Sequence, residues 1–159
     1  MAAADDRRAA ALRRLEVLVG EWTMEAEFPR TPPTGPVGRV VFDWILHGQF
    51  LAQRSEAPEP APDSLAVIGF DPDSGGYSQV YFDARGVARV YQMTLGPGSW
   101  SLLRAAPDFS PLDFSQRFTG TFGDENRVIR GAWEMSEDGT TWRHDFDLTY
   151  RRVGRPTTR

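Results

Sequence analysis

The sequence predicts an all-β protein: a single antiparallel up-and-down β-barrel of about ten strands, with an N-terminal helix covering one end. Three observations lead there. Only the N-terminal segment carries apolar residues at helical spacing. From Gly20 onward the chain breaks into short alternating runs bounded by clusters of Gly, Pro, Asp and Ser. About ten such runs fit into 159 residues with tight connections, and a meander of that size tends to close, because closure removes its edges. A flatter two-sheet sandwich is the architectural alternative.

The helix comes first. Asp5 or Asp6 offers an N-cap, and the alanine run has high helix propensity. Leu12, Leu15 and Val19 share one face, Arg13 and Arg14 suit the C-terminal dipole, and Gly20 is the expected terminator. Residues 1–20 thus form one helical segment in the same domain as a barrel spanning 21–153, with 154–159 as a frayed tail. Strands are predicted at 21–28, 37–46, 50–57, 64–71, 77–83, 87–94, 99–104, 114–122, 127–135 and 140–152. The breaks are the proline-rich stretches 31–36 and 58–62, the turns 47–49, 72–76, 84–86 and 96–98, and Ser136 to Gly139. The segment from Pro107 to Ser115 repeats Asp-Phe-Ser. It reads either as a lid over a cavity mouth or as an ordered loop whose phenylalanines pack on the barrel.

Composition excludes several functions. The chain has no cysteine, so disulfides, thiolate metal sites and cysteine nucleophiles are out. Two histidines, His47 and His144, are too few for a multi-histidine metal centre. All 18 basic residues are arginine, yet 22 acidic residues leave a net charge of −4, which argues against nucleic acid or an anionic membrane as partner. No signal-peptide core and no membrane-length apolar run is visible, so a cytoplasmic protein is expected. There is no nucleophile elbow, phosphate loop, dinucleotide fingerprint or glycosidase-like carboxylate pair.

Two hairpins nominate site residues. With a three-residue turn at Ala84-Arg85-Gly86, Tyr81 faces Arg89, Gln79 faces Tyr91 and Tyr77 faces Met93. Tyr77, Gln79, Tyr81, Arg89, Tyr91 and Met93 then share one face, and Val80, Phe82, Ala88 and Val90 the other. Turned inward, the first face lines a polar aromatic cavity with a fixed positive charge; turned outward, it is an ordinary amphipathic surface. With a four-residue loop at 136–139, Trp133 faces Trp142, Gly131 faces His144 and Ile129 faces Phe146. That face is the apolar one and is expected inward, with His144 either a satisfied core histidine, a ligand contact or a general acid–base. A one-residue bulge would turn it to solvent.

Leu18-Val19-Gly20-Glu21-Trp22 is similar to the Gly-x-Trp opening of calycins, the lipocalin and fatty-acid-binding barrels. In that family an arginine near the end of the last strand packs over the tryptophan, a role that falls here to Arg151 or Arg152. Leu148 to Val153 resembles the terminal strand of nitrobindin-like haem barrels, and Ser64 to Asp71 with Tyr81 to Tyr91 resembles a bacterial calycin-like domain family of unknown function. The haem resemblance implies an axial histidine on the last strand and peroxynitrite isomerase-type chemistry. Aligned on Thr149-Tyr150, that ligand position falls on Asp145, one residue from His144, and Thr23 to Phe28 lacks the family's glycines. Arg89-Val90-Tyr91 has the Arg-x-Tyr spacing of fatty-acid carriers, on a middle strand.

The first expectation is a small-molecule-binding barrel for a hydrophobic or anionic-apolar ligand, a barrel of this size having room inside for one. Trp133, Trp142, Phe146, His144, Gln79, Tyr81, Arg89 and Tyr91 would contact the ligand. The second is an isomerase or cyclase on a hydrophobic metabolite with His144 as catalytic group. The third is nitrobindin-like haem binding on His144. The fourth is a filled barrel acting through a partner. The residues themselves call for no cofactor, haem being implied by resemblance alone; a homodimer is left open.

Overall fold

Short alternating runs joined by tight turns pair with their neighbours in the chain, and that local rule builds nearly the whole molecule. The computed structural model describes residues 2–30 and 37–154. The strands are β1 (Gly20–Glu27), β2 (Gly38–Ile45), β3 (Phe50–Glu56), β4 (Ser64–Phe70), β5 (Tyr77–Asp83), β6 (Ala88–Gly96), β7 (Ser99–Arg104), β8 (Ser115–Gly123), β9 (Val128–Ser136) and β10 (Arg143–Gly154). Each is antiparallel to the next, and β10 pairs with β1 to close a ten-stranded barrel. The sandwich alternative is thereby set aside. The expected break at 31–36 lies outside the described residues, as does the expected frayed tail 154–159 apart from Gly154, which is the last residue of β10.

One end of the barrel is plugged. Helix α1 (Ala2–Arg14) passes into a 3₁₀ turn (Leu15–Leu18), and Ala11, Leu15 and Leu18 are fully buried beneath it. The helix starts ahead of Asp5, which sits in its first turn, where its charge suits the dipole without acting as a cap. It also stops short of Gly20, which instead opens β1 with a φ of 129°. The Tyr77 hydroxyl donates to Ala11 O (2.6 Å), and Trp22 Nε1 donates to Leu18 O (2.9 Å). Arg152 lies 4.1 Å over the Trp22 ring and donates to Val17 O and Val19 O, both at 2.6 Å. Of the two arginines expected over this tryptophan, Arg152 is the one that clasps the plug. Among the described residues no helix is long and apolar enough to cross a membrane.

The two hairpins behave differently. In β5–β6 the expected register forms, Tyr81 opposite Arg89 and Gln79 opposite Tyr91, around Gly86 at φ 84°. In β9–β10 it does not. Asp138 Oδ1 takes hydrogen bonds from Ser136 Oγ, Thr140 N and Thr141 N, and β10 begins only at Arg143. The connection is therefore longer than four residues. His144 pairs with Glu134 rather than Gly131, and a bulge at Asp145 then brings Phe146 opposite Trp133. The longer loop and the bulge put His144 on the outer face while Phe146, Leu148 and Tyr150 turn inward.

Beside β6 the wall has a gap. β7 ends at Arg104, with Gln92 opposite Leu103 as its last pair on that side, so residues 88–91 run on without that neighbour. The 105–114 loop fills the space. Asp108 accepts Val90 N (2.8 Å), Arg104 Nε (2.8 Å) and Arg104 Nη2 (2.9 Å), and the Arg104 and Asp108 side chains are only 3% and 5% exposed. Phe109 leans on the outer Phe82 ring, 6.4 Å between centroids. The loop packs as a fixed strap on the barrel rather than standing over its mouth.

Candidate functional site

The barrel end opposite the helix holds a cavity of about 320 Å³. Its walls differ in chemistry because its strands do. On β3 to β6, Gln53, Ala66, Tyr81 and Arg89 form one cross-strand row. Gln79 and Tyr91 form the next row toward the helix. Gln79 Nε2 donates to Gln53 Oε1 (3.0 Å), so two buried carboxamides lie side by side in this wall. Facing them are Trp100, Leu102, Phe118, Trp133 and Phe146 from β7 to β10. These rings touch one another: Phe118 lies 5.4 Å from Trp133 and 5.1 Å from Trp100 between centroids. Gly120 and Gly131 make that wall possible. A Cβ on Gly131 would stand 2.5 Å from two Phe118 ring carbons.

Charge is confined to the mouth and the polar wall. Arg85 Nη2 donates to Asp83 Oδ2 (2.7 Å), and the Tyr81 hydroxyl donates to the same oxygen (2.9 Å). Burial pushes the Asp83 carboxyl up, but the hydrogen bonds from Arg85 and Tyr81 outweigh it and hold the group at about 2. Arg89 is different. Its Nη1 donates to Gln116 Oε1 (3.0 Å), its guanidinium lies 5.6 Å over the Phe114 ring, and it makes no ion pair among the described residues. The Tyr91 hydroxyl donates to the same Gln116 oxygen (3.0 Å). Burial raises the Tyr81, Tyr91 and Tyr150 phenols, with the Asp83 carboxylate adding to the rise at Tyr81. All three stay protonated at neutral pH. Among the described residues, Trp100 Nε1 is the buried side-chain nitrogen left without a hydrogen-bond partner, and Trp100 borders the cavity.

Of the residues nominated from sequence, Gln79, Tyr81, Arg89, Tyr91, Trp133 and Phe146 come together on the cavity lining. Trp142 and His144 do not. Trp142 lies outside the barrel wall beneath Arg117, 4.1 Å from its guanidinium, and Arg117 is itself paired with Glu134. His144 is exposed, with Nε2 2.9 Å from Asp147 Oδ1. Gln53, Gln116, Trp100, Phe118 and Tyr150 line the cavity without having been singled out. The alternation of β8 carried a signal for Gln116 and Phe118, which share a face; nothing local marked Gln53.

A haem held by a last-strand imidazole does not fit these residues. His144 stands outside, His47 lies in the turn after β2, and the phenols that do reach the cavity are kept protonated by burial. Among the described residues no group of three or more His, Cys, Asp or Glu is placed to hold a metal ion.

No family model matches the chain, and no curated protein matches it. A solved structure does: the crystal structure of Rv2717c from M. tuberculosis is similar at 16% identity with a TM-score of 0.57. The similarity covers 91% of this chain and 98% of that one. At such identity the likeness concerns the fold alone.

Proposed function

We propose that this protein is a calycin-like barrel that binds a small, largely apolar molecule with an anionic group inside its open half. The observation that carries this reading is the cavity of about 320 Å³, walled by aromatic rings on one side and hydrogen-bonding groups with Arg89 on the other. Interiors are otherwise close-packed, and a space this size falls at the lower end of ligand pockets, roughly 300–1,000 Å³. The helical plug, with Trp22 held under Arg152, closes the far end. The lining supports holding rather than proton transfer. Among the described residues it offers hydroxyls, amides and guanidinium groups, but no carboxylate and no imidazole. The catalytic and haem expectations both ran through His144, which stands at the outer surface.

Native mass spectrometry of freshly purified protein tests this, together with titration of 8-anilinonaphthalene-1-sulfonate. The expected results are an added mass lost on denaturation, or uptake of one dye per barrel, and loss of that uptake in a folded Ala66→Phe variant. Ala66 stands in the polar row between Gln53 and Tyr81, so a phenyl ring there fills the cavity. A bare protein that takes up no dye, or dye uptake indifferent to Ala66→Phe, refutes the reading.

A further inference from the structure

We infer that the ligand is a small, flat ring acid bearing a hydrogen-bond donor on its far edge, and not a flexible fatty acyl chain. The inference rests on the binding function proposed above and specifies its ligand class.

Three features of the cavity define that shape. The first is Arg89, a half-buried cation on the lining whose partners are all neutral: the Gln116 amide, the Tyr91 hydroxyl and the Phe114 ring. The other arginine on the lining, Arg85, is already neutralised by Asp83. An anion entering the cavity therefore finds its unused counter-charge at Arg89, and a carboxylate matches the guanidinium fork.

The second is Gln79. It is 3% exposed, its Nε2 is committed to Gln53, and its Oε1 accepts no hydrogen bond from the described residues. Gln79 lines the cavity, and an acceptor open to it calls for a donor once a ligand has displaced water there. Methylenes laid against it would leave it unsatisfied, whereas a hydroxyl or ring N–H would satisfy it. Gln79 is the diagonal neighbour of Arg89 across the β5–β6 ladder, a separation of roughly 7–8 Å between backbones. A rigid two-ring skeleton with an acid at one end and a hydroxyl at the other spans that distance.

The third is the opposite wall. Trp133, Phe118 and Trp100 present contiguous ring surface across the cavity from the amides. Ring surface favours ring surface in stacked or edge-on contact beyond its area alone. The modest volume agrees, since it suits one or two rings better than a long chain.

The experiment compares three probes by isothermal titration calorimetry on the intact protein: 6-hydroxy-2-naphthoate, its methyl ester, and decanoate. The acid is expected to bind one to one, tighter than the ester by about tenfold to a hundredfold, the range for a hydrogen bond to a charged group. It is expected to exceed decanoate by at least about tenfold. In Arg89→Met the acid should fall to the affinity that the ester shows for the same variant, with an unchanged circular dichroism spectrum and melting temperature reporting that the barrel is intact. Decanoate binding as tightly as the acid overturns the inference and leaves the proposed function standing, whereas the ester binding as tightly as the acid overturns the inference and the anionic part of the proposed function with it. Failure of all three probes to bind one to one overturns both. The wild-type comparison decides the matter even if Arg89→Met does not fold.

Discussion

Replacing Asp108 by alanine should destabilise the barrel far more than the loss of a surface ion pair would. The carboxylate accepts four hydrogen bonds: Arg104 Nε and Nη2, Val90 N and Ser110 N. It is 5% exposed, and its removal leaves the 3%-exposed Arg104 guanidinium with carbonyl contacts alone. Breaking a buried pair by deleting one partner costs about 3–5 kcal/mol. At roughly 2–4 °C per kcal/mol for a chain of this size, Tm should fall by about 6–20 °C. Urea denaturation of Asp108→Ala, Arg104→Met and Arg104→Met/Asp108→Leu closes the argument, because the double variant, having no orphaned charge, should recover part of the loss. The pH dependence has a definite sign. The Arg104 hydrogen bond, reinforced by the Val90 and Ser110 amides, holds the Asp108 carboxyl well below its ordinary value of 3.8. The folded state therefore resists protonation longer than the unfolded one. The contribution is complete above about 3.8 and is lost as the pH falls through the folded-state value, so the gap between wild type and Asp108→Ala should narrow only in acid. A loss below about 1 kcal/mol, the worth of an exposed bridge, would refute the buried strap. Because the strap also carries Phe114 beneath Arg89, the variant should weaken binding of an anionic probe more than of a neutral one.

Three further outcomes are expected. Gly131→Ala drives a methyl group to 2.5 Å from Phe118 ring carbons and 2.9 Å from Thr119 O; overpacking of that kind costs about 1–3 kcal/mol, read as a lower urea midpoint, and an unchanged midpoint would contradict the aromatic wall. His144→Ala removes an exposed imidazole whose partner is Asp147, so stability should move by no more than about 0.5 kcal/mol and probe affinity not at all; lost binding would return the histidine to the site. Arg152→Met gives up two backbone acceptors and the stack on Trp22. A loss of about 2–4 kcal/mol should follow, with the amides of 15–19 exchanging hydrogen sooner; protection equal to wild type would mean the plug is held by burial alone.

The number of strands, their antiparallel order and their closure were legible because turn residues punctuate this chain so regularly. The β5–β6 register was legible for the same reason: Gly86 supplies the positive φ that a short turn needs, and the turn sets every pair above it. The β9–β10 register was not. Its length is decided by Asp138 drawing Ser136, Thr140 and Thr141 around one carboxylate oxygen, and its facing by a bulge at Asp145. Neither step leaves a mark in hydrophobic alternation, and together they moved His144 from one side of the wall to the other.

The orientation of β5 and β6 was undecidable for a deeper reason. Judged by polarity alone, Val80, Phe82, Ala88 and Val90 should face the core, yet Phe82 is 41% exposed and the inward face is the one bearing Gln79, Tyr81, Arg89 and Tyr91. What reverses the rule is a set of partners distant in the chain: Ala11 O for Tyr77, Gln53 for Gln79, Gln116 for Arg89 and Tyr91. Burying those polar groups without such partners would be prohibitive. A single strand cannot display them, because a barrel assembles its interior from side chains on many strands. The same accounting makes the exception informative. A core held only for stability would have turned the valines inward; the sheet instead keeps an amide acceptor and an unneutralised guanidinium on the cavity lining. Where a chain departs from its own local preference and still satisfies most of the groups involved, what is left over, here the open acceptor of Gln79 and the uncompensated charge of Arg89, is where the proposed ligand is to be tested first.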